Sequence, residues 1–133
     1  MLYCQYIVYR DIVSRNKMEA LITAQFLSPG SPSFYILLSL VDGEKHGYAI
    51  MKDAEALSDG ETTLSTSTLY EALSRLLEQG LIERVETGEA ANGRRVRKAY
   101  RLSRLGRQVL DAQTARLEGL VRQAHRRLLR GAP

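Results

Sequence analysis

Residues 94 to 107 hold seven arginines and lysines and no acid. Guanidinium and ammonium groups at that density pair with phosphates or other anions, the planar arginine fork best of all. Upstream, residues 65 to 68 read STST, four hydroxyl residues ahead of Leu69, Leu73, Leu76 and Leu77. Hydroxyls at a helix start either satisfy the free N–H groups of that helix or hydrogen-bond to an approaching anion. Acids gather elsewhere: residues 42 to 61 hold six, against Lys45 and Lys52. Charge segregated in this way points to a polyanionic partner more strongly than the net charge of +4 does, with a solvated arginine face as the alternative.

Catalysis finds little to work with. His46 and His125 lie far apart and Cys4 is the single cysteine, so neither a nucleophile–base set nor a metal-ligand spacing can be read. The expectation is a non-enzyme with no cofactor and no metal. A lone cysteine excludes an internal disulfide, which suits the cytoplasm. No apolar run reaches the roughly 20 residues of a membrane span, and MLYCQYIVYRDIVSR lacks the form of a secretory leader. An apolar fraction of 44% in 133 residues fits one globular domain with a modest core.

The elements that must position these groups follow from periodicity and breakers. Residues 1–32 read as an N-terminal extension, with a weakly patterned helix from about Asp11 to Leu27 and a break at SPGSP. SFYILLSLV, between Pro32 and Asp42-Gly43, reads as a short buried helix. KHGYAIMKDAEAL places Tyr48, Met51, Ala54 and Leu57, with Ile50 beside them, at helical spacing, so Tyr48 is expected in the core. The third helix starts at a Ser65 cap and stops before Gly80. LIERVET and RKAYRLS then form a hairpin with a long basic tip at Asn92-Gly93. His46 either caps the second helix or packs against this hairpin. From Ser103 to Arg130, Leu110, Thr114, Leu117, Val121, Ala124 and Leu128 mark an a/d-type seam on one helix of about 40 Å. A domain of roughly 70 residues cannot cover that length, so a second copy of the chain is the expected partner, with folding back on its own domain as the alternative.

Three helices, a hairpin and a long terminal helix, in that order, describe a mainly α fold with a β-hairpin: a winged helix-turn-helix over 33–103 and a C-terminal dimerisation helix over 104–130. In such a domain the third helix enters the DNA major groove and the hairpin reaches across the backbone. With the leucines turned inward, Ser65, Ser67, Thr68, Tyr70, Ser74 and Arg75 remain for double-stranded DNA. Tyr70 either binds a phosphate through its hydroxyl or lies over the core. Arg75 is the only cation of that helix, so Arg94, Arg95, Arg97 and Lys98 of the wing are expected to supply most of the attraction. Tyr100 is expected to support the wing from behind, and His125 to lie on an exposed face. Arg101, Arg104 and Arg107 can reach DNA or stay solvated. A winged-helix protein-interaction module without specific DNA binding is the alternative function, and it would have no use for the basic wing.

HGYAI at 46–50, STLYEALSRLLEQGLI at 67–82, GRR at 93–95 and KAYRLSRLG at 98–106 together resemble the PadR family of bacterial transcriptional regulators. The resemblance covers about residues 33 to 128. It departs from the family at Thr66-Ser67, where Pro-Gly often precedes Thr-Leu-Tyr, and at Ser103 in place of threonine. It implies a homodimeric repressor of its own or a neighbouring gene, acting on an inverted repeat in the cytoplasm, nucleoid-associated when bound, and released by a small ligand. With one helix after the wing, the chain is similar to the family's short subgroup. Some of those members hold flat drugs between aromatic side chains at the dimer centre. With no tryptophan, and no aromatic after Tyr100, an effector pocket is instead expected among Phe34, Tyr35, Leu117 and Val121. Met18 heads MEALITAQFLSPGS, which resembles an ordinary start for this family. Residues 1–17 are therefore expected either to precede the native start or to form a short helix packed on the dimer.

Overall fold

The structure is a computed structural model that describes residues 27–28, 30–87 and 97–131. Residues 11–26 of the helix expected from Asp11 to Leu27, Cys4, and the wing tip with Arg94 and Arg95 lie outside the described residues.

Helix α1 spans Pro32–Ser39. The Ser31 hydroxyl accepts the Phe34 N–H at 3.3 Å, and proline at the first position sacrifices only an N–H that would have had no partner. A two-residue strand, β1 (Lys45–His46), leads directly into α2 (Gly47–Leu57). Helix α3 runs Thr66–Glu78 from a Ser65 cap and ends at Gly80, whose φ of +74° is strained for any residue with a Cβ. Strands β2 (Ile82–Thr87) and β3 (Arg97–Leu102) pair antiparallel from Ile82↔Leu102 to Thr87↔Arg97. β1 adds to the other edge of β3 through Lys45↔Tyr100 and His46↔Ala99, giving the sheet order β1-β3-β2. Helix α4 then runs Arg104–Arg130 from a Ser103 cap.

The core lies where α1, α2, α3, the sheet and the first part of α4 converge. Ile36, Leu37, Ile50, Leu69, Leu73, Leu76, Leu81, Ile82 and Val109 are fully buried, each worth about 1.5–3 kcal/mol relative to exposure. Tyr100 is buried among them beneath the wing, as its place in the sequence predicts. Leu77 is only half-buried, so the inward face of α3 is Leu69, Ala72, Leu73 and Leu76. In α2 Gly47, Ile50 and Ala54 are buried and Met51 packs at the margin of the core, so the inner part of the expected stripe holds and its two ends do not. Tyr48 is accordingly 68% exposed and Leu57 46%, which corrects the expectation that both pack inward.

The junction before α4 is tight. Ser103 N–H donates to the Leu81 carbonyl at 3.0 Å, and its hydroxyl donates to the Gly80 carbonyl and accepts the Gly106 N–H. A Cβ on Gly106 would fall 2.0 Å from the Leu81 carbonyl oxygen, so only glycine lets α4 seat on the turn after α3. Beyond this seat the helix divides. Val109, Leu110, Ala112 and Gln113 are buried, Leu117 packs at the margin, and every residue from Glu118 to Gly131 is exposed. About 20 Å of helix thus stands clear of the domain.

Candidate nucleic-acid interface

The row of hydroxyls at the start of α3 divides its work. Ser65 Oγ accepts the Thr68 N–H at 3.2 Å, and lies 2.8 Å from the Thr68 hydroxyl and 3.2 Å from that of Ser67. Ser65 and Thr68 therefore stabilise the helix start itself. Ser67, Tyr70, Glu71, Ser74 and Arg75 are exposed on the opposite side from the buried leucines. Ser67 and Ser74 keep part of that surface small-sided, which permits close approach to a duplex, and with Glu71 offsetting Arg75 it supplies little attraction by itself.

Tyr70 is half-exposed, and its position depends on a glycine. A Cβ built on Gly47 would lie 3.1 Å from the Tyr70 hydroxyl and 3.5 Å from its ring, so the phenol rests over the bare start of α2. The HGY segment and the TLY segment, separated in the sequence, thus meet at this contact. The next residue in the chain, Tyr48, projects to solvent with the Lys52 ammonium 5.7 Å from its ring centroid. Sequence reasoning misses this pair because the spacing of Tyr48 with Met51 and Ala54 reads as a core stripe. The signal that could have found it is Gly47, which marks the side of α2 that presses on another element.

Lys98 is exposed toward the outer end of β3, opposite Glu86, and its carbonyl oxygen lies 3.2 Å from His46 Nδ1. His46 occupies the cap position of α2 but makes no side-chain cap there; of the two expected roles, contact with the wing is the one observed. The acid-free run of cations is partly neutralised from outside. Arg101 is held by Glu83, with Nη2 at 2.8 Å and Nε at 2.9 Å, and Arg107 approaches Asp111 at 3.5 Å. Arg97 lies in β3 opposite Thr87, while Arg94 and Arg95 fall outside the described residues.

Arg75 faces a groove of about 280 Å³ between α3 and the start of α1, lined also by Ser28, Ser31, Ser33, Thr68 and Gln79. None of the residues expected to hold an effector lines it. Phe34, one of them, is buried with its ring 6.2 Å from that of Tyr35 in an edge-on contact, which removes it from any open pocket. Tyr35 and Leu117 are partly buried at the edge of the core, and Val121 is exposed. Leu110 requires a similar correction: it is 3% exposed and packs in its own domain. Of the expected seam, Thr114, Val121, Ala124 and Leu128 are exposed, joined by Leu120 and Leu129. His125 lies on the exposed part of α4, as expected.

Away from this surface, Lys45 ties α1 to α2. Its ammonium donates to Asp53 at 2.7 Å, to Asp42 at 2.9 Å and to the Ser39 carbonyl. Partial burial works against its charge, but hydrogen bonds to Asp53 and Asp42 outweigh that and raise its pKa above 10.5. The Lys45 hydrogen bond in turn holds Asp42 below its ordinary 3.8. Among the described residues no helix is long and apolar enough to cross a membrane, and no group of three metal-ligating side chains forms.

The family model described as the transcriptional regulator PadR-like family matches residues 36–112, more than half of the chain. Among solved structures, a PadR family regulator from Clostridium difficile R20291 is 26% identical, with a TM-score of 0.60 over 73% of this chain and 97% of that one. A PadR family regulator from Eggerthella lenta is 27% identical, with a TM-score of 0.57 over 92% of this chain and 96% of that one. Bacillus subtilis PadR in complex with operator DNA is 27% identical, with a TM-score of 0.51 over 59% of this chain and 43% of that one. No curated protein matches the chain.

Proposed function

Because this chain belongs to the PadR-like family of transcriptional regulators, we propose that it is a homodimeric repressor that binds an inverted-repeat operator in double-stranded DNA. The observation that carries the reading is the two-sided character of α3. One face is sealed into the core by Leu69, Leu73 and Leu76, while the other leaves Ser67, Tyr70, Ser74 and Arg75 exposed. The similar Bacillus subtilis PadR is seen with operator DNA, which fits a major-groove role for this face. Register and base selection come from α3. Lys98, with Arg94, Arg95 and Arg97, supplies attraction to phosphate, at a log–log salt slope of about −0.9 per phosphate neutralised.

The projecting part of α4 supports dimerisation. Leu120, Val121, Leu128 and Leu129 are 50–79% exposed on a stretch of helix that its own domain leaves uncovered. A second copy covers them through a seam of Thr114, Leu117, Val121, Ala124 and Leu128. It also places two α3 helices about 34 Å apart, one turn of B-DNA. A small ligand releases the repressor by binding near Tyr35, Leu117 and Val121, where α4 leaves its domain. The 33–103 unit is the DNA-binding part, 104–130 the dimerisation part, and the protein works in the cytoplasm on the nucleoid.

The test is a gel shift with the gene's own upstream DNA at two salt concentrations, alongside the solution mass by light scattering. Binding that weakens steeply with salt, by a species of twice the chain mass, is the expected result. A folded dimer that binds no upstream fragment would indicate a protein-interaction module. Tyr70→Ala and Arg97→Ala are expected to weaken binding without unfolding the dimer. The ligand reading is tested separately by a thermal-shift screen, where the absence of any compound that stabilises the protein and lowers DNA affinity would contradict it.

A further inference from the structure

The first helix of the DNA-binding motif carries a surface that its packing role does not explain. Tyr48 stands in the first turn of α2 and is 68% exposed, although tyrosine rings ordinarily bury much of their area. Lys52, one turn later, holds its ammonium 5.7 Å from the Tyr48 ring centroid. Among the described residues Lys52 forms no ion pair, whereas Lys45, the other cation of this acidic stretch, is bound by Asp42 and Asp53. Tyr48 directly follows Gly47, the residue of α2 that touches Tyr70 of α3. Farther along, exposed Glu55, Asp59 and Glu61 repel phosphate. Exposed Glu44 stands before β1, so charge favours a polyanion only around Lys52 and opposes it at the end of α2.

Resting on the DNA-binding reading above, we propose that Tyr48 and Lys52 together bind a phosphate of the duplex backbone and set the register of α3. The Tyr48 hydroxyl donates to a phosphate oxygen, and the Lys52 ammonium, steadied over the ring face, neutralises its charge. Neither residue reads a base, so their effect is independent of sequence.

Fluorescence anisotropy of the full chain tests this, using a duplex from the gene's upstream DNA and a scrambled duplex of the same length across a salt series. Lys52→Gln is expected to weaken both duplexes alike and to make the log–log slope of a dimer shallower by about 2, or roughly 0.9 per lost phosphate contact. Tyr48→Phe keeps the ring and is expected to cost a dimer about a hundredfold in affinity for both duplexes, about tenfold for each of its two hydrogen bonds to a charged group. Ser74→Ala, on the base-facing helix, is expected to reduce the preference for the upstream duplex instead. The proposal is overturned if the unsubstituted protein binds while Lys52→Gln keeps its slope and Tyr48→Phe its affinity. It is overturned too if either loss is confined to the upstream duplex. Failure of the unsubstituted protein to bind either duplex would instead bring down the DNA-binding reading and this proposal with it.

Discussion

The Tyr70 phenol lies across Gly47, with its hydroxyl 3.1 Å from where a Cβ would stand, and this contact joins the start of α2 to the exposed side of α3. The atom that would have to yield is the far end of a half-exposed side chain rather than backbone. Gly47→Ala is therefore expected to cost less than about 1 kcal/mol of stability while displacing the ring. Loss of DNA affinity should follow, and the same substitution should have little further effect in a Tyr70→Ala background. Equal losses in both backgrounds would separate Gly47 from Tyr70.

Two glycines of α4 should respond to alanine with opposite signs. At Gly106 the new methyl meets the Leu81 carbonyl oxygen at 2.0 Å and Leu102 Cδ1 at 2.9 Å, so the seat of α4 must open. A loss of about 1–3 kcal/mol or more in urea unfolding is expected. At Gly119 nothing lies within 4 Å, and alanine should add about 0.5–1 kcal/mol through helix propensity alone. A neutral Gly106→Ala would contradict the tight junction.

The Lys45 network sets a pH dependence of stability. Asp42 is held below 3.8, so its contribution is complete above that value and is lost as pH falls through the lower folded value. Lys45 is raised above 10.5, so its contribution is complete below that value and is lost as pH rises through the higher folded one. Lys45→Met should lower the thermal midpoint at pH 7 and change it much less at pH 2. An equal deficit at both values would mean that the ion pairs contribute nothing.

Gln113 poses a stability question of its own. It is 3% exposed, and its Oε1 has no hydrogen-bond partner among the described residues. An unpaired buried carbonyl oxygen costs about 1–3 kcal/mol, so Gln113→Met, similar in shape, should raise the melting temperature. A fall would show that the oxygen is satisfied in the assembled protein.

Much of this architecture is legible in the chain because its helices carry their own punctuation. Ser65 and Gly80 bracket α3, and Ser103 opens α4, because capping chemistry is local. The stripe of α2 is harder to place because exposed Tyr48 and Leu57 resemble core residues in type, and only the three-dimensional meeting of Gly47 with Tyr70 reveals which side is pressed. β1 is two residues long, too short to have a period, and exists only because β3 is there to pair with it. Arg101 looks free in its acid-free run, yet Glu83, eighteen residues earlier, stands beside it across the strand pair. Charge runs report density along the chain, whereas neutralisation depends on register.

The central claim is that the exposed side of α3 and the wing place a dimer on duplex DNA. It is tested most directly by the salt dependence of binding between the full chain and a duplex spanning the gene's upstream DNA. Four or more phosphate contacts predict a log–log slope of about −4 or steeper, with tighter binding to the upstream duplex than to a scrambled one. A folded dimer with no measurable affinity for either duplex at low salt would contradict the account.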